Sequence, residues 1–361
     1  MTVLLTVVVP VHAVEGHLHQ CLESIRAGLT DAENAAVEVV AVDDASPDAC
    51  GAMLDRYAAR HGDLHVVHLP RNVGLGLARN AGLAAAHGEY VWFVDGDDWL
   101  PAGAVRAVLA KLRAEHPDVL LVDHLRMHSD GRAEVDASSH LLRGPATRER
   151  LLGIQHTAWN RVIRRGHLDA IGLEFRPGWY EDVPFSHPVL IAARRVAVLD
   201  QVCYHYRVGR PGAITTTRSR RHFEAFDQYE HLLTWVAARE PEPWLRAALF
   251  TLMINHLLVV IGNDTRVLPR DRREFFGRLA ALYRRHRPAG HRPPGGVSGL
   301  KHRLVALNSY PLYAILRGVH RHTGRTADAR RIPATINADS SAAVSLAPPA
   351  PQPSTRATSA R

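Results

Sequence analysis

The chain reads as an α/β protein: a mostly parallel sheet with helices on both faces, followed by a helical, basic C-terminal region. Three observations predict this. Apolar runs recur at residues 6–9, 37–42, 64–68 and 91–94, near-continuous as strands buried on both faces must be. Between them, residues such as Leu18, Cys21, Leu22 and Ile25 are apolar at helical spacing. Strand then alternates with helix, which calls for parallel pairing through crossovers.

In order, the first strand is expected to stop at Pro10, which has no N–H for the ladder. The second ends in Asp43-Asp44-Ala45-Ser46-Pro47-Asp48, and a helix carrying Met53, Leu54 and Tyr57 follows. The third leads into Arg71-Asn72-Val73-Gly74-Leu75-Gly76 and a small-residue helix through Leu77, Ala78, Ala81 and Ala86. The fourth, 91–94, ends in Asp95, Asp97 and Asp98 with Gly96 between the first two. A helix with Val105, Val108, Leu109 and Leu112 and a strand at 119–122 continue the alternation up to the turn dipeptide Asp130-Gly131.

A second half starts near Thr147 with short pieces, including Trp159-Asn160-Arg161 and the run GWYEDVPF at 178–185. Residues 196–199 and 202–206 read as a hairpin or two edge strands, and helices follow from about Arg220. Residues 249–261 are apolar but reach only about half of the ~20 residues a membrane span needs. They also contain Asn255 and His256, so a buried helix is expected, with packing on a membrane surface as the other reading. The tail from Pro333, rich in Ala, Ser, Pro and Thr, lacks the large apolar residues needed to fold and is expected to be disordered. The expected organisation is a sheet domain at 1–218, a helical basic region at 219–332 and the tail at 333–361.

Composition narrows the class. A hydrophobic fraction of 46% in 361 residues suits a soluble globular protein. Cys21, Cys50 and Cys203 are scattered, which offers neither a disulfide framework nor zinc spacing and fits a reducing compartment. The N-terminus lacks the basic region of a signal peptide, so a cytoplasmic protein is expected. Residues 266–331 hold 16 Lys/Arg against Asp271, Glu274 and Asp328, a local net of +13 that leaves −5 for the remainder. Such a segment suits a membrane surface or a polyanionic acceptor, or serves solubility alone. No nucleic-acid partner is expected. The 23 histidines show no paired metal-ligand spacing.

Pro10, Asp44, Asn72 and Asp95 all fall at carboxyl ends of predicted strands, where parallel α/β sheets bind ligands. Three acids closing a buried strand repel one another, so a cation is expected among them unless they form an acidic turn capping the next helix. Two familiar chemistries do not fit. Gly74-Leu75-Gly76-Leu77-Ala78-Arg79 has Arg where a dinucleotide fingerprint has its last Gly, and it follows the third strand rather than the first. A haloacid-type phosphatase would carry Asp-x-Asp after its first strand, not its fourth.

Four runs taken together resemble glycosyltransferase family 2: VVVPVHAVEGHLHQCLESI, VDDASPD, NVGLGLARNAGLAAAHGEYVWFVDGDDWL and WYEDVPF. The resemblance spans roughly residues 3–225 and points to the bacterial cell-envelope or capsular polysaccharide type. It implies the GT-A fold, a Rossmann-like nucleotide-diphospho-sugar transferase domain, and an inverting enzyme. A UDP-sugar or related donor, Mn²⁺ or Mg²⁺, and a hydroxyl acceptor on a glycan, polyol-phosphate polymer or lipid-linked carrier come with it. By the same resemblance, Pro10, Asp44, Asn72 and Arg79 line the nucleotide pocket. Asp95 and Asp97 form the Asp-x-Asp motif, with Asp97 the direct metal ligand and Asp95 shared between metal and donor. Asp182 is the general base, with Glu181 orienting it or binding acceptor. Arg207 contacts the diphosphate, with Arg210 or Thr215 assisting.

Two positions depart from the family pattern. His12-Ala13 stands where Tyr-Asn is common, and Ala45 where Gly is common at a turn. Both lie near the expected nucleobase. Two other functions remain open on the sequence: a non-catalytic nucleotide-sugar-binding scaffold of a polymer-synthesis complex, and a nucleotidyl- or glycerophosphotransferase on the same fold.

Overall fold

A computed structural model describes residues 3–144, 147–240 and 242–322, so the tail expected to be disordered lies outside the described residues. Among these, one sheet contains β1 (Leu5–Val11), β2 (Val37–Asp43), β3 (Leu64–His68), β4 (Tyr90–Phe93), β5 (Val119–His128), β6 (Ala133–Asp136), β7 (Arg161–Arg164) and β8 (Val196–Val208). The order is β3-β2-β1-β4-β7-β5-β6, and β8 lies along β5 on the side away from β7. β1 to β4 pair in parallel, and β7 runs antiparallel between β4 and β5.

The sheet-side helices are α1 (Glu15–Arg26), α2 (Asp31–Asn34), α3 (Cys50–Ala58), α4 (Leu75–Ala84), α5 (Ala104–Glu115), α6 (Arg148–Leu152), α7 (Arg165–Ile171) and α8 (Val183–Ile191). The C-terminal region supplies α9 (Glu224–Arg239), α10 (Pro243–Gly262), α11 (Arg272–His286), α12 (Gly296–Ala306) and α13 (Tyr310–His322). Because side chains alternate along a strand, β1 feeds two cores. Leu5, Val7 and Val9 pack with Leu18, Leu54 and Val108 on one face. Val8 joins Val42, Phe93, Ala78 and Phe185 on the other, and that cluster continues without a break into Phe226, Leu257 and Phe275 of the helical region.

Three expectations change. β1 runs through Pro10 to Val11. The Pro10 carbonyl faces the β4 side, where it accepts the Gly96 N–H at 3.3 Å. The missing proline N–H points the same way, past the end of β4 at Phe93, so no ladder bond is lost inside the sheet. The hairpin expected at 196–206 is instead a single thirteen-residue strand, β8, parallel to β5. The register slips between Val122↔Leu199 and Asp123↔Val202, so Asp200 and Gln201 form a bulge rather than a turn.

The apolar run at 249–261 belongs to the twenty-residue α10, which begins at Pro243. By length and composition α10 is long enough to cross a membrane, but 61% of its apolar stretch is buried inside the fold. Its polar residues have internal partners: His256 Nδ1 lies 2.8 Å from the Tyr229 hydroxyl, and Asn255 Oδ1 lies 3.0 Å from His302 Nε2.

Candidate active site

β4 delivers Asp95, Asp97 and Asp98 to the carboxyl edge of the sheet, and β8 brings their partners. Trp99 and His205 exchange backbone hydrogen bonds (2.9 and 3.3 Å), which ties the far end of β8 to the acidic loop. Asp98 is buried and accepts the Tyr204 hydroxyl and the Arg207 N–H, each at 2.7 Å. Burial, then the neighbouring Asp97 and Asp95, pushes its carboxyl well above the usual range. Arg207 Nε donates to the Asp97 carbonyl at 3.0 Å, and its guanidinium stacks on Trp99 with 4.6 Å to the ring centroid. Arg210 Nε donates to Asp97 Oδ2 at 2.6 Å, and Arg79 Nη2 to Asp95 Oδ1 at 2.6 Å. Arg79 and Arg210 are thus cationic side chains that the fold sets against these carboxylates.

Arg79 links this loop to the segment before α8. It projects from α4, is only 2% exposed, and its Nη1 donates to Glu181 Oε1 at 2.9 Å. The next residue, Asn80, grips the Phe175 backbone with two hydrogen bonds of 2.8 and 2.9 Å. Gly76 completes the contact, since a Cβ there would stand 2.7 Å from the Arg176 carbonyl and 2.8 Å from Glu181 Cγ. The glycine in the GLGLAR run thus lets a helix approach a loop rather than cradle a phosphate.

The segment itself turns through Gly178 (φ +99°) and Tyr180 (φ +65°), a conformation that is strained for a tyrosine. Glu224 of α9 accepts the Trp179 N–H at 2.6 Å, and the Tyr180 hydroxyl lies 2.7 Å from His222 Nδ1. Asp182 then opens α8, its carbonyl accepting the Ser186 N–H at 2.8 Å. Among the described residues no other side chain pairs with its carboxylate, which has a hydrogen bond only with its own backbone N–H. Burial pushes the Asp182 carboxyl up, with Arg79 opposing the shift and Asp95 adding to it. The neighbouring Glu181 moves the same way, again by burial first.

Arg161 is the functional candidate that sequence reasoning missed. It is fully buried at 0% exposure, and its guanidinium donates to the Ser186 carbonyl (2.8 Å), Asn160 Oδ1 (2.9 Å) and the Gln155 carbonyl. It forms no carboxylate ion pair among the described residues. Burial lowers its pKa to about 9, and Asp182 is the charge opposing that shift. A single arginine at the start of a short strand carries no periodic signal, and the sequence offered none.

The expected nucleotide-pocket residues divide. Asp44, 3% exposed, accepts the Val73 N–H (2.7 Å) and the Gly74 N–H (2.9 Å), which anchors the loop entering α4. His12 Nδ1 lies 2.9 Å from the Asp44 carbonyl, and the exposed Asn72 amide lies 3.1 Å from the His12 ring. Pro10, Asp44 and Asn72 therefore gather with His12 at the ends of β1 and β2. Arg79 shares no contact with Asn72 and serves the acidic loop and Glu181 instead. Asp43 is structural, accepting the Ser46 N–H at 2.9 Å with His68 Nδ1 at 3.1 Å. At the two positions that depart from the family pattern, Ala13 (φ +53°) and Ala45 (φ +49°) are both left-handed, where Asn or Gly sits with less strain.

Residues 6–169 match the sequence model described as Glycosyl transferase family 2. Over that stretch, a little under half of the chain, it is similar to glycosyltransferase family 2. It is 30% identical over 226 residues to the uncharacterized glycosyltransferase EpsJ of Bacillus subtilis, covering 60% of this chain and 64%, just under two thirds, of EpsJ. It is 28% identical over 213 residues to TarS of Staphylococcus aureus, a poly(ribitol-phosphate) beta-N-acetylglucosaminyltransferase, covering 57% of this chain and 36% of TarS. The crystal structure of TarS residues 1–349 with UDP-GlcNAc superposes with a TM-score of 0.70 at 20% identity, over 89% of this chain and 92% of that one. At that identity the likeness concerns the fold, and this chain has the GT-A architecture with helices appended.

Proposed function

We propose that the chain is an inverting, metal-assisted glycosyltransferase that moves a sugar from a UDP-sugar to a hydroxyl of a cell-envelope glycopolymer. One observation carries the reading. Arg79 joins the Asp-x-Asp loop to Glu181, beside Asp182, whose carboxylate has no side-chain partner among the described residues. The UDP donor and the polymer acceptor draw support from TarS, whose solved complex holds UDP-GlcNAc and whose name specifies poly(ribitol-phosphate).

The donor set suits a divalent cation. Asp95 Oδ2 and Asp97 Oδ1 accept no hydrogen bond among the described residues, and carboxylate oxygens are the ligands Mg²⁺ and Mn²⁺ prefer. No group of three or more His, Cys, Asp or Glu side chains converges among the described residues, so donor phosphates would complete the coordination. A cation bound there offsets charge on the departing diphosphate.

The chain's own residues do the rest. Asp182 accepts a hydrogen bond from the acceptor hydroxyl and takes its proton as that oxygen attacks the anomeric carbon. The bond from that carbon to the diphosphate oxygen breaks on the opposite face, and its electron pair leaves with the nucleotide, so the configuration inverts. Arg207 and Arg210, anchored at Asp97, are placed to meet the diphosphate charge. Glu181, locked to Arg79, fixes the turn that aims Asp182.

Calorimetric titration with UDP, GDP, CDP and dTDP, with and without Mn²⁺, tests the reading. UDP alone is expected to bind tightly, with the affinity lost on chelation and in Asp97→Ala. Equal binding of all four, or UDP affinity indifferent to both metal and Asp97, would refute the donor assignment.

A further inference from the structure

α13 is apolar on both sides. Its inner side is fixed: Tyr313 is 4% exposed with its ring 5.0 Å from Phe276, and Arg317 Nε donates to the Gly262 carbonyl at 3.1 Å while its Nη2 pairs with Asp264. Its outer side is the anomaly. The exposed residues between 310 and 318 are Pro311, Leu312, Ala314 and Ile315, and none is polar. Leu312 is 55% and Ile315 63% exposed, and Leu307 in the preceding turn is 77% exposed. A surface helix of a soluble domain ordinarily turns charge to water here, and a bare apolar face rimmed by polar residues marks a contact surface.

The rim is basic. Arg273 is exposed with its guanidinium 5.5 Å from the Tyr310 ring centroid, and the exposed Arg303 stands one helical turn before Leu307, while Arg284, Arg287 and Arg292 add exposed positive charge farther along α11 and the link to α12. We propose that this face, Leu307, Leu312 and Ile315 with its arginine rim, docks the protein on an anionic lipid surface. α13 would lie in the plane of the interface, since its 13 residues are too few to cross a bilayer.

Charge selects this occupant over two others. A second copy would set one strongly positive region, +13 over residues 266–331, against another. The chain's own residues 323–361 are net positive, with Arg325, Arg330, Arg331, Arg356 and Arg361 against Asp328 and Asp339, so they carry the same sign as the rim. A bilayer with anionic headgroups supplies both the apolar layer and the opposite charge. This inference stands apart from the catalytic reading, because vesicle binding needs no turnover.

The test is co-flotation of the full chain with vesicles of phosphatidylcholine alone or mixed with phosphatidylglycerol. Binding is expected to be at least about tenfold tighter to the anionic vesicles and to weaken steeply toward ~0.5 M salt. The double variant Leu312→Asp/Ile315→Asp is expected to lose about tenfold or more on anionic vesicles while keeping its circular dichroism and UDP binding. Arg273→Glu/Arg303→Glu, which leaves the apolar face intact, is expected to lose the preference for anionic lipid. Equal binding to both vesicle types, or unchanged binding of the double variant, overturns the proposal. Concentration-dependent dimerisation abolished by the double variant would assign the face to a second copy. Vesicle binding that emerges only after deletion of residues 323–361 would assign it to the chain's own tail. Either result also overturns the proposal.

Discussion

The acidic loop after β4 and the segment entering α8 bring carboxylates to the same site, yet they hold them in opposite ways. Asp95, Asp97 and Asp98 each have a guanidinium, hydroxyl or amide partner at 2.6–2.7 Å. Asp182 has no side-chain partner among the described residues, although Arg79 and Arg161 both act on it through space. A carboxylate held by a guanidinium, hydroxyl or amide has lone pairs committed to that partner, even where burial raises its pKa. An unpaired one in a partly buried setting keeps its basicity. On the proposed function, charge handling falls to the loop and proton handling to the turn before α8.

Asp182→Asn bears on that contrast most directly. Transfer is expected to fall about 10²–10⁴-fold in a radiolabelled-sugar assay, with UDP affinity by calorimetry unchanged. Near wild-type turnover would remove the base from Asp182. Arg79→Met attacks the link between the two regions. It leaves Glu181 with no ion-pair partner among the described residues and Asp95 with the through-space charge of Arg210, and urea unfolding at pH 8 is expected to show a loss of about 3–5 kcal/mol. Both acids already have raised pKa values, burial being the first cause. A carboxyl raised in the folded state gives full stabilisation below its unfolded pKa and loses it as pH rises through the folded one. The Arg79→Met deficit should therefore shrink on acidification, and a deficit constant from pH 8 to 5 would argue against the bridge.

The pH–rate profile offers a finer cut. With its carboxyl raised by burial, Asp182 is expected to lose its basic form as pH falls through a value above the ordinary aspartate range. Activity should be full on the alkaline side of that limb. Arg161→Met removes a cation that lowers the Asp182 pKa, so the limb is expected to move to higher pH, with Arg161→Lys restoring part of the shift. An unmoved limb in a folded Arg161→Met protein would reduce that arginine to packing. The smallest effect is expected at the rim, where Ala45→Gly relieves a left-handed alanine. The relief is partly offset by greater freedom in the unfolded chain, leaving a gain of about 0.5 kcal/mol by thermal unfolding.

Much of the architecture was legible because the signals are local. Apolar runs of strand length ending in Asp44 or Asp95 set both the strand and the place of its end, and the family motifs recur in order. The acidic cluster also announced that cations belonged beside it. What failed was non-local. Residues 196–206 carry a polar interruption that reads as a turn, and only the demand of β5 for a long partner makes it a bulge within one strand.

Sequence alone thus determined the alternation of buried strands and helices, the edge where the acids gather and the departure at Ala45 whose left-handed backbone the structure bears out. The tertiary structure decided which cation meets which acid. Arg79 and Glu181 are 102 residues apart, and Arg210 and Asp97 are 113 apart. Burial periodicity comes from helix and strand geometry and is written along the chain, whereas ion-pair choice depends on which side chains share a low-dielectric space once the chain has closed. That is why the brace that Arg79 forms between two sets of acids is visible only in the fold.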